Sequence, residues 1–133
     1  MNHVAITWTF QLSPDRKQPS LDGQQLPLYA PVDMKLIQVA YYKIGTAPAY
    51  KPEYSRFFDA ACGFQIQFYH VKGVVGSVAR AAPKTPVPSS AGQPVTATSI
   101  KAGEQIGWFQ GEAGKSVAFD FRLEEPSRTN SFI

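Results

Sequence analysis

Two histidines (His3 and His70), one cysteine (Cys62) and ten carboxylates are the side chains here whose types could do acid–base, nucleophilic or metal chemistry. A structural or catalytic zinc site draws three or four ligands from His, Cys and carboxylates, and the chain lacks the residues for a His₃ or His₂Cys₂ set. Nucleophilic catalysis of the elbow type needs G-x-S-x-G; Gly73-Val74-Val75-Gly76-Ser77 has the wrong spacing. Neither a G-x-x-x-x-G-K phosphate loop nor a dinucleotide fingerprint occurs. His70 would need a carboxylate partner to act as a base. Its alternation with Phe64, Ile66 and Phe68 reads instead as a strand-end histidine packed against the core. Asp120 and Glu124 share one strand parity, but four residues at 3.3 Å each place their backbones roughly 13 Å apart. A glycosidase pair needs roughly 5 to 9.5 Å, so these read as solvent-facing charges. Cys62 lies away from any helix N-terminus that would lower its pKa, which predicts a buried structural thiol. The expectation is a chain that is not an enzyme, with no catalytic residue, no metal ligand and no cofactor.

Residues suited to contact are more plentiful. Six tyrosines, Tyr29, Tyr41, Tyr42, Tyr50, Tyr54 and Tyr69, combine large apolar area with a polar tip. Tyr50, Lys51, Tyr54 and Arg56 gather in or beside one proline-containing loop and are candidate interface or ligand contacts, although the same aromatic cluster could plug one end of a sandwich. Phe132-Ile133 closes the chain with an apolar pair suited to docking on a neighbour. The net charge is +3, and its cations are scattered, with only Arg16-Lys17 adjacent. Phosphate binding draws on a basic stripe or cluster, so nucleic-acid binding is not expected.

The elements that must position these residues are strands. From Val4 to Leu12, Val4, Ile6, Trp8, Phe10 and Leu12 alternate with Ala5, Thr7, Thr9 and Gln11, the period of a half-buried strand. Prolines and glycines break residues 13–31. A strand over Met34–Ile44 carries apolar residues on both faces, as a central strand does. Between 52 and 62, Pro52 suits a first helical position, Tyr54, Phe57, Phe58 and Ala61 stand at helical spacing, and Gly63 suits a stop, so the pattern predicts one short helix. Strands are expected again over Phe64–Val71, Val74–Ala81, Val95–Ile100, Gln105–Gln110 and Ser116–Leu123, with an extended proline-rich loop over 83–94. Trp8, Phe10, Phe64, Phe68, Phe119 and Phe121 are candidate core residues, with Trp108 on the parity of Ile106.

Short strands punctuated by Gly and Pro in 133 residues predict one all-β domain over 1–125, a two-sheet, jelly-roll-like sandwich, followed by an extended C-terminal tail over 126–133. No apolar run reaches the roughly 20 residues of a membrane-spanning helix, and no secretory-signal pattern opens the chain. A single cysteine fits a reducing compartment.

Residues 100–109, IKAGEQIGWF, and 114–119, GKSVAF, resemble the closing strands of jelly-roll capsid and vertex proteins of icosahedral phages over less than a quarter of the chain. The resemblance implies a virion component. The leading expectation is therefore a non-enzymatic structural subunit of a larger symmetric assembly, in a virion or the cytoplasm, whose partners are copies of itself or other assembly subunits. The alternative is a lectin-like module that binds a glycan or small ligand through a tyrosine-lined loop.

Overall fold

The period-two runs become strands in the computed structural model, which describes residues 3–12, 25–43, 51–110 and 117–129, with side chains for 25–43, 51–110 and 120–126. Among the described residues the strands are β1 (His3–Leu12), β2 (Gln25–Tyr29), β3 (Met34–Tyr42), β4 (Glu53–Ala60), β5 (Gln65–Val71), β6 (Gly73–Val74), β7 (Gln93–Ile100), β8 (Gln105–Gln110) and β9 (Val117–Thr129). All pair antiparallel, in a six-stranded sheet of order β1-β9-β5-β4-β3-β7 and a three-stranded sheet of order β2-β8-β6. Only the β3–β4 and β4–β5 connections stay within one sheet; every other crosses to the opposite layer. The protein is an all-β sandwich with one short helix. None of the described helices is long and apolar enough to cross a membrane.

The core lies between the sheets. Leu36 and Val39 of β3, Phe58 of β4, and Ile66, Phe68 and Val71 of β5 meet Ile106 of β8. Phe121 and Leu123 of β9 pack against this cluster from the side. Of the six candidate core aromatics, Phe68 is buried and Phe64 and Phe121 are half-buried. The side chains of Trp8, Phe10 and Phe119 lie outside the described residues, although the β1–β9 register sets Trp8 opposite Phe121. Trp108 is half-buried. Its ring lies over Gly73, where an added Cβ would stand 2.2 Å from it, so the close approach needs glycine there.

Within the stretch 13–31, which prolines and glycines are expected to break, residues 25–29 form β2, because pairing with β8 holds Pro27 on an edge strand. Two further segments depart from the sequence pattern. Residues 52–62 hold strand β4 and a 3-10 turn at Ala61–Gly63, and the short helix, α1, is Gly76–Ala81. An isolated helix of about ten residues is marginal on its own. Tyr54, Phe57 and Phe58 are good strand formers, and β4 gains neighbours on both edges, β3 and β5. Tertiary pairing therefore overrides the helical spacing. In Val74–Ala81 the override runs the other way. Gly76 takes φ +56°, which ends β6 after two residues, and the following turn of helix buries Val78. At the far end, β9 runs on to Thr129, and its register closes on His3, four residues beyond the boundary expected at 125.

Among the described residues the sandwich has four sheet edges. A bare edge is a template for another strand, and folded proteins blunt it with prolines, bulges, charge or brevity. β2 has five residues with Pro27 among them, and β6 has two. β7 carries Pro94 and a register shift against Leu36 and Gln38. Over Val4–Leu12, β1 has none of these devices. Its ten residues, HVAITWTFQL, include no proline, lysine, arginine or carboxylate. Its ladder on β9 is regular from Val4 to Leu12, shifting only between His3 and Val4. Among the described residues β1 pairs only with β9.

Candidate functional site

The main cluster of interacting polar side chains grows from a bulge. Between β4 and β5 the register jumps from Tyr54↔Val71 to Arg56↔Phe68, so β5 spends one residue more than β4. His70 sits in that surplus at φ 59°, in the left-handed region that histidine tolerates better than β-branched residues. The extra residue resets the strand's parity. Val71 turns into the core, fully buried, while His70 turns away from Phe68 toward the polar face of the large sheet. The expected core-packed histidine is therefore instead a half-exposed one among ions.

His70 Nδ1 lies 2.9 Å from Glu53 Oε2 on β4, and Nε2 lies 3.6 Å from Asp120 Oδ2 on β9. Lys72 pairs with the other oxygen of Glu53. The Tyr42 hydroxyl of β3 donates to Glu53 Oε2 at 3.4 Å, and Ser55 Oγ donates to Tyr42 at 3.5 Å. Burial alone would raise the Glu53 pKa, but the hydrogen bonds from His70 and Lys72 outweigh it and hold the group at about 2. The Glu53 hydrogen bond, aided by the charges of Glu53 and Asp120, raises the His70 pKa above 6.5 against a smaller opposing effect of burial. Desolvation raises the Tyr42 pKa as well.

A second chain of contacts continues along the same face. Tyr69 donates to Gln67, whose amide donates to Glu124 Oε2 at 3.1 Å, with Arg122 Nε 3.7 Å from the same oxygen. Glu124 is thus buried and bonded, and Asp120 is half-buried beside His70, rather than both facing solvent as the sequence pattern suggested. Chemically the arrangement supports charge pairing and proton exchange at His70. The Ser55 hydroxyl is engaged with Tyr42, which is not the serine–histidine contact a nucleophile needs. Among the described residues no three His, Cys, Asp or Glu side chains form a group able to hold a metal ion.

The contact candidates of the 44–56 segment separate. Lys51 is exposed, whereas Tyr54 is half-buried and stacks on Tyr41 with ring centroids 4.3 Å apart. Burial, with Tyr41 adding to it, pushes the Tyr54 hydroxyl up to about 12. Arg56 is not a surface contact. It is fully buried between the sheets, its Nη1 donating to the Ile106 carbonyl and its guanidinium 5.8 Å from the centre of the Phe68 ring. Nε and Nη2 are buried without hydrogen-bond partners, and desolvation lowers the Arg56 pKa to about 9. A Cβ at Gly107 would stand 2.7 Å from Nη1, so the guanidinium occupies the space that glycine leaves. Strand parity explains this: Arg56 is opposite Val39 and Phe68, both inward. Tyr50, Phe132 and Ile133 lie outside the described residues. Cys62, expected to be buried, is exposed, in the left-handed conformation at φ 62° next to Gly63.

Sequence reasoning missed Glu53 and Lys72 as partners of His70, because assigning 52–62 to a helix removed Glu53 from the sheet. The available signal was parity across two central strands with a one-residue surplus, visible only once β4 is known to be a strand. Comparison of the chain with protein-family models, with curated proteins and with solved structures finds no match.

Proposed function

We propose that this protein is a non-enzymatic structural subunit that self-associates by pairing β1 edge to edge with β1 of a second copy, in a larger symmetric assembly of which a phage virion is the concrete form. The observation that carries this reading is the contrast among the four sheet edges: three are blunted and β1 is not. An unblunted strand of ten residues offers a row of backbone donors and acceptors that only another strand satisfies in full. A second copy is the occupant that fits. Antiparallel pairing about a two-fold axis is self-complementary, and a strand without ionic charges along its regular ladder sets no like charges opposite one another. The likeness of residues 100–109 and 114–119 to the closing strands of phage capsid and vertex proteins supports the virion form.

The test exploits the β1–β9 register, which sets Ala5 opposite Glu124 and Thr9 opposite Asp120. Ala5→Lys with Thr9→Lys places both new cations across from carboxylates within one chain, where opposite-charge pairs stabilise by roughly 0.2–1 kcal/mol each. Between two β1 strands the same cations repel. Sedimentation equilibrium is expected to show the natural sequence associating with rising concentration and the double variant remaining monomeric, with an undiminished thermal transition. Equal association of both chains, or monomers for both, would overturn the reading. A monomer retained on immobilised oligosaccharide would shift the assignment to the glycan-binding alternative.

A further inference from the structure

The geometry points to a proton-dependent clamp in which His70, seated in the β5 bulge between Glu53 of β4 and Asp120 of β9, adds a side-chain tie across three adjacent strands when it carries a second proton and loses its hold on Asp120 when it gives that proton up. The argument rests on the two ring nitrogens. Nδ1 meets a carboxylate oxygen at 2.9 Å, and Nε2 has another at 3.6 Å. A neutral imidazole has one N–H and one lone pair, so it can donate to only one of these carboxylates and must turn a lone pair on the other. Imidazolium donates to Glu53 and at the same time turns a second N–H and its positive charge toward Asp120.

The surrounding charges fit this. Glu53 is already served by Lys72 and by the Tyr42 hydroxyl, so it keeps partners when His70 is neutral. Asp120 is less well supplied: its Oδ1 is buried with no hydrogen-bond partner. Deprotonation of His70 therefore falls hardest on the β9 contact. The β5–β9 register sets Tyr69 opposite Asp120, which puts this link at the end of the ladder joining the two strands. The backbone adds to the device, since His70 is held at φ 59° and the bulge must be stabilised by what its side chain gains.

The sign follows from linkage. A group whose pKa is raised on folding contributes its stability in full below its unfolded value of 6.5 and loses it as the pH rises through the raised value. Glu53 acts in a different window. Its pKa is lowered, so its contribution is complete above 4.5 and fades as the pH falls toward about 2. The His70 side chain is 42% exposed, so the effect is modest and weakens with salt.

The experiment uses the full chain. The His70 ring resonances are titrated by NMR, and urea midpoints are recorded against pH for the natural sequence, His70→Asn and His3→Gln. Asparagine also tolerates the left-handed backbone, so His70→Asn removes the imidazole without imposing new strain. The expected result is a His70 titration above 6.5 and a urea midpoint that falls as the pH rises through it. That fall should be abolished in His70→Asn and retained in His3→Gln. Asp120→Asn is expected to lower the His70 titration point. A His70 titration at or below 6.5, a fall that survives in His70→Asn, or a titration point unmoved by Asp120→Asn would each overturn the clamp.

Discussion

Truncation of Phe58 to alanine is expected to lower the unfolding free energy by about 3–5 kcal/mol, the range for a buried phenylalanine whose site cannot collapse. Phe58 is fully buried on β4. Its ring meets Phe68 edge-on, with centroids 5.9 Å apart, and Phe68 in turn meets Phe121 at 5.4 Å. The three aromatics thus run across β4, β5 and β9 on the inner face, and removing the first leaves a void on a strand held by a neighbour on each side, β3 and β5. Urea denaturation monitored by circular dichroism measures the loss. A loss below about 1 kcal/mol would mean that Phe58 lies on the rim of a surface helix, as its spacing with Tyr54 and Ala61 first indicates, and not inside a strand.

Arg56→Met is expected to act in the opposite direction, raising stability by about 1–4 kcal/mol, the gain seen when buried ionic groups give way to apolar side chains of similar volume. The guanidinium is fully buried, with two of its nitrogens unpartnered. Each unmet buried donor costs about 1–3 kcal/mol, and its contact with Phe68 offsets only part of this. The carbonyl it serves is not stranded by the change, because Ile106 also accepts the Val75 N–H at 3.5 Å. Methionine's flexible stem can fill the channel beside Gly107. The same urea series decides it: a loss of stability would mean that the one hydrogen bond to Ile106 outweighs the unmet donors. A charge kept in the core at such a cost is one of the places where a fold departs from its stability optimum.

Strands with a single period and turn residues at both ends were legible in the sequence. β1, β3, β5, β7, β8 and β9 fall where the sequence pattern puts strands. Two kinds of information were not local. Tyr54, Phe57 and Phe58 satisfy a helical spacing as well as a strand, and only the presence of β3 and β5 on either side decides between them. A one-residue surplus in β5 reverses the parity of everything after Phe68, carrying His70 out of the core and Val71 into it. No pattern within the strand announces such a bulge, since it is set by the partner's register. The same reversal explains why Asp120, read as a solvent-facing charge, stands beside a histidine. Arg56 was misplaced for a related reason: its charge argues for the surface, while its register with Val39 and Phe68 puts it inside.

Self-association through β1 has a residue-level signature in amide hydrogen exchange. Within one chain, the antiparallel ladder on β9 engages alternate N–H groups of β1 and leaves the others facing outward. If a second β1 covers that edge, the outward set is bonded too. Exchange followed by NMR along Val4–Leu12 should therefore show protection at consecutive residues when the protein is concentrated. On dilution, alternate residues should become fast while the set bonded to β9 stays slow. An alternating pattern that persists at every concentration, with the outward amides always fast, would contradict the pairing and leave β1 an open edge.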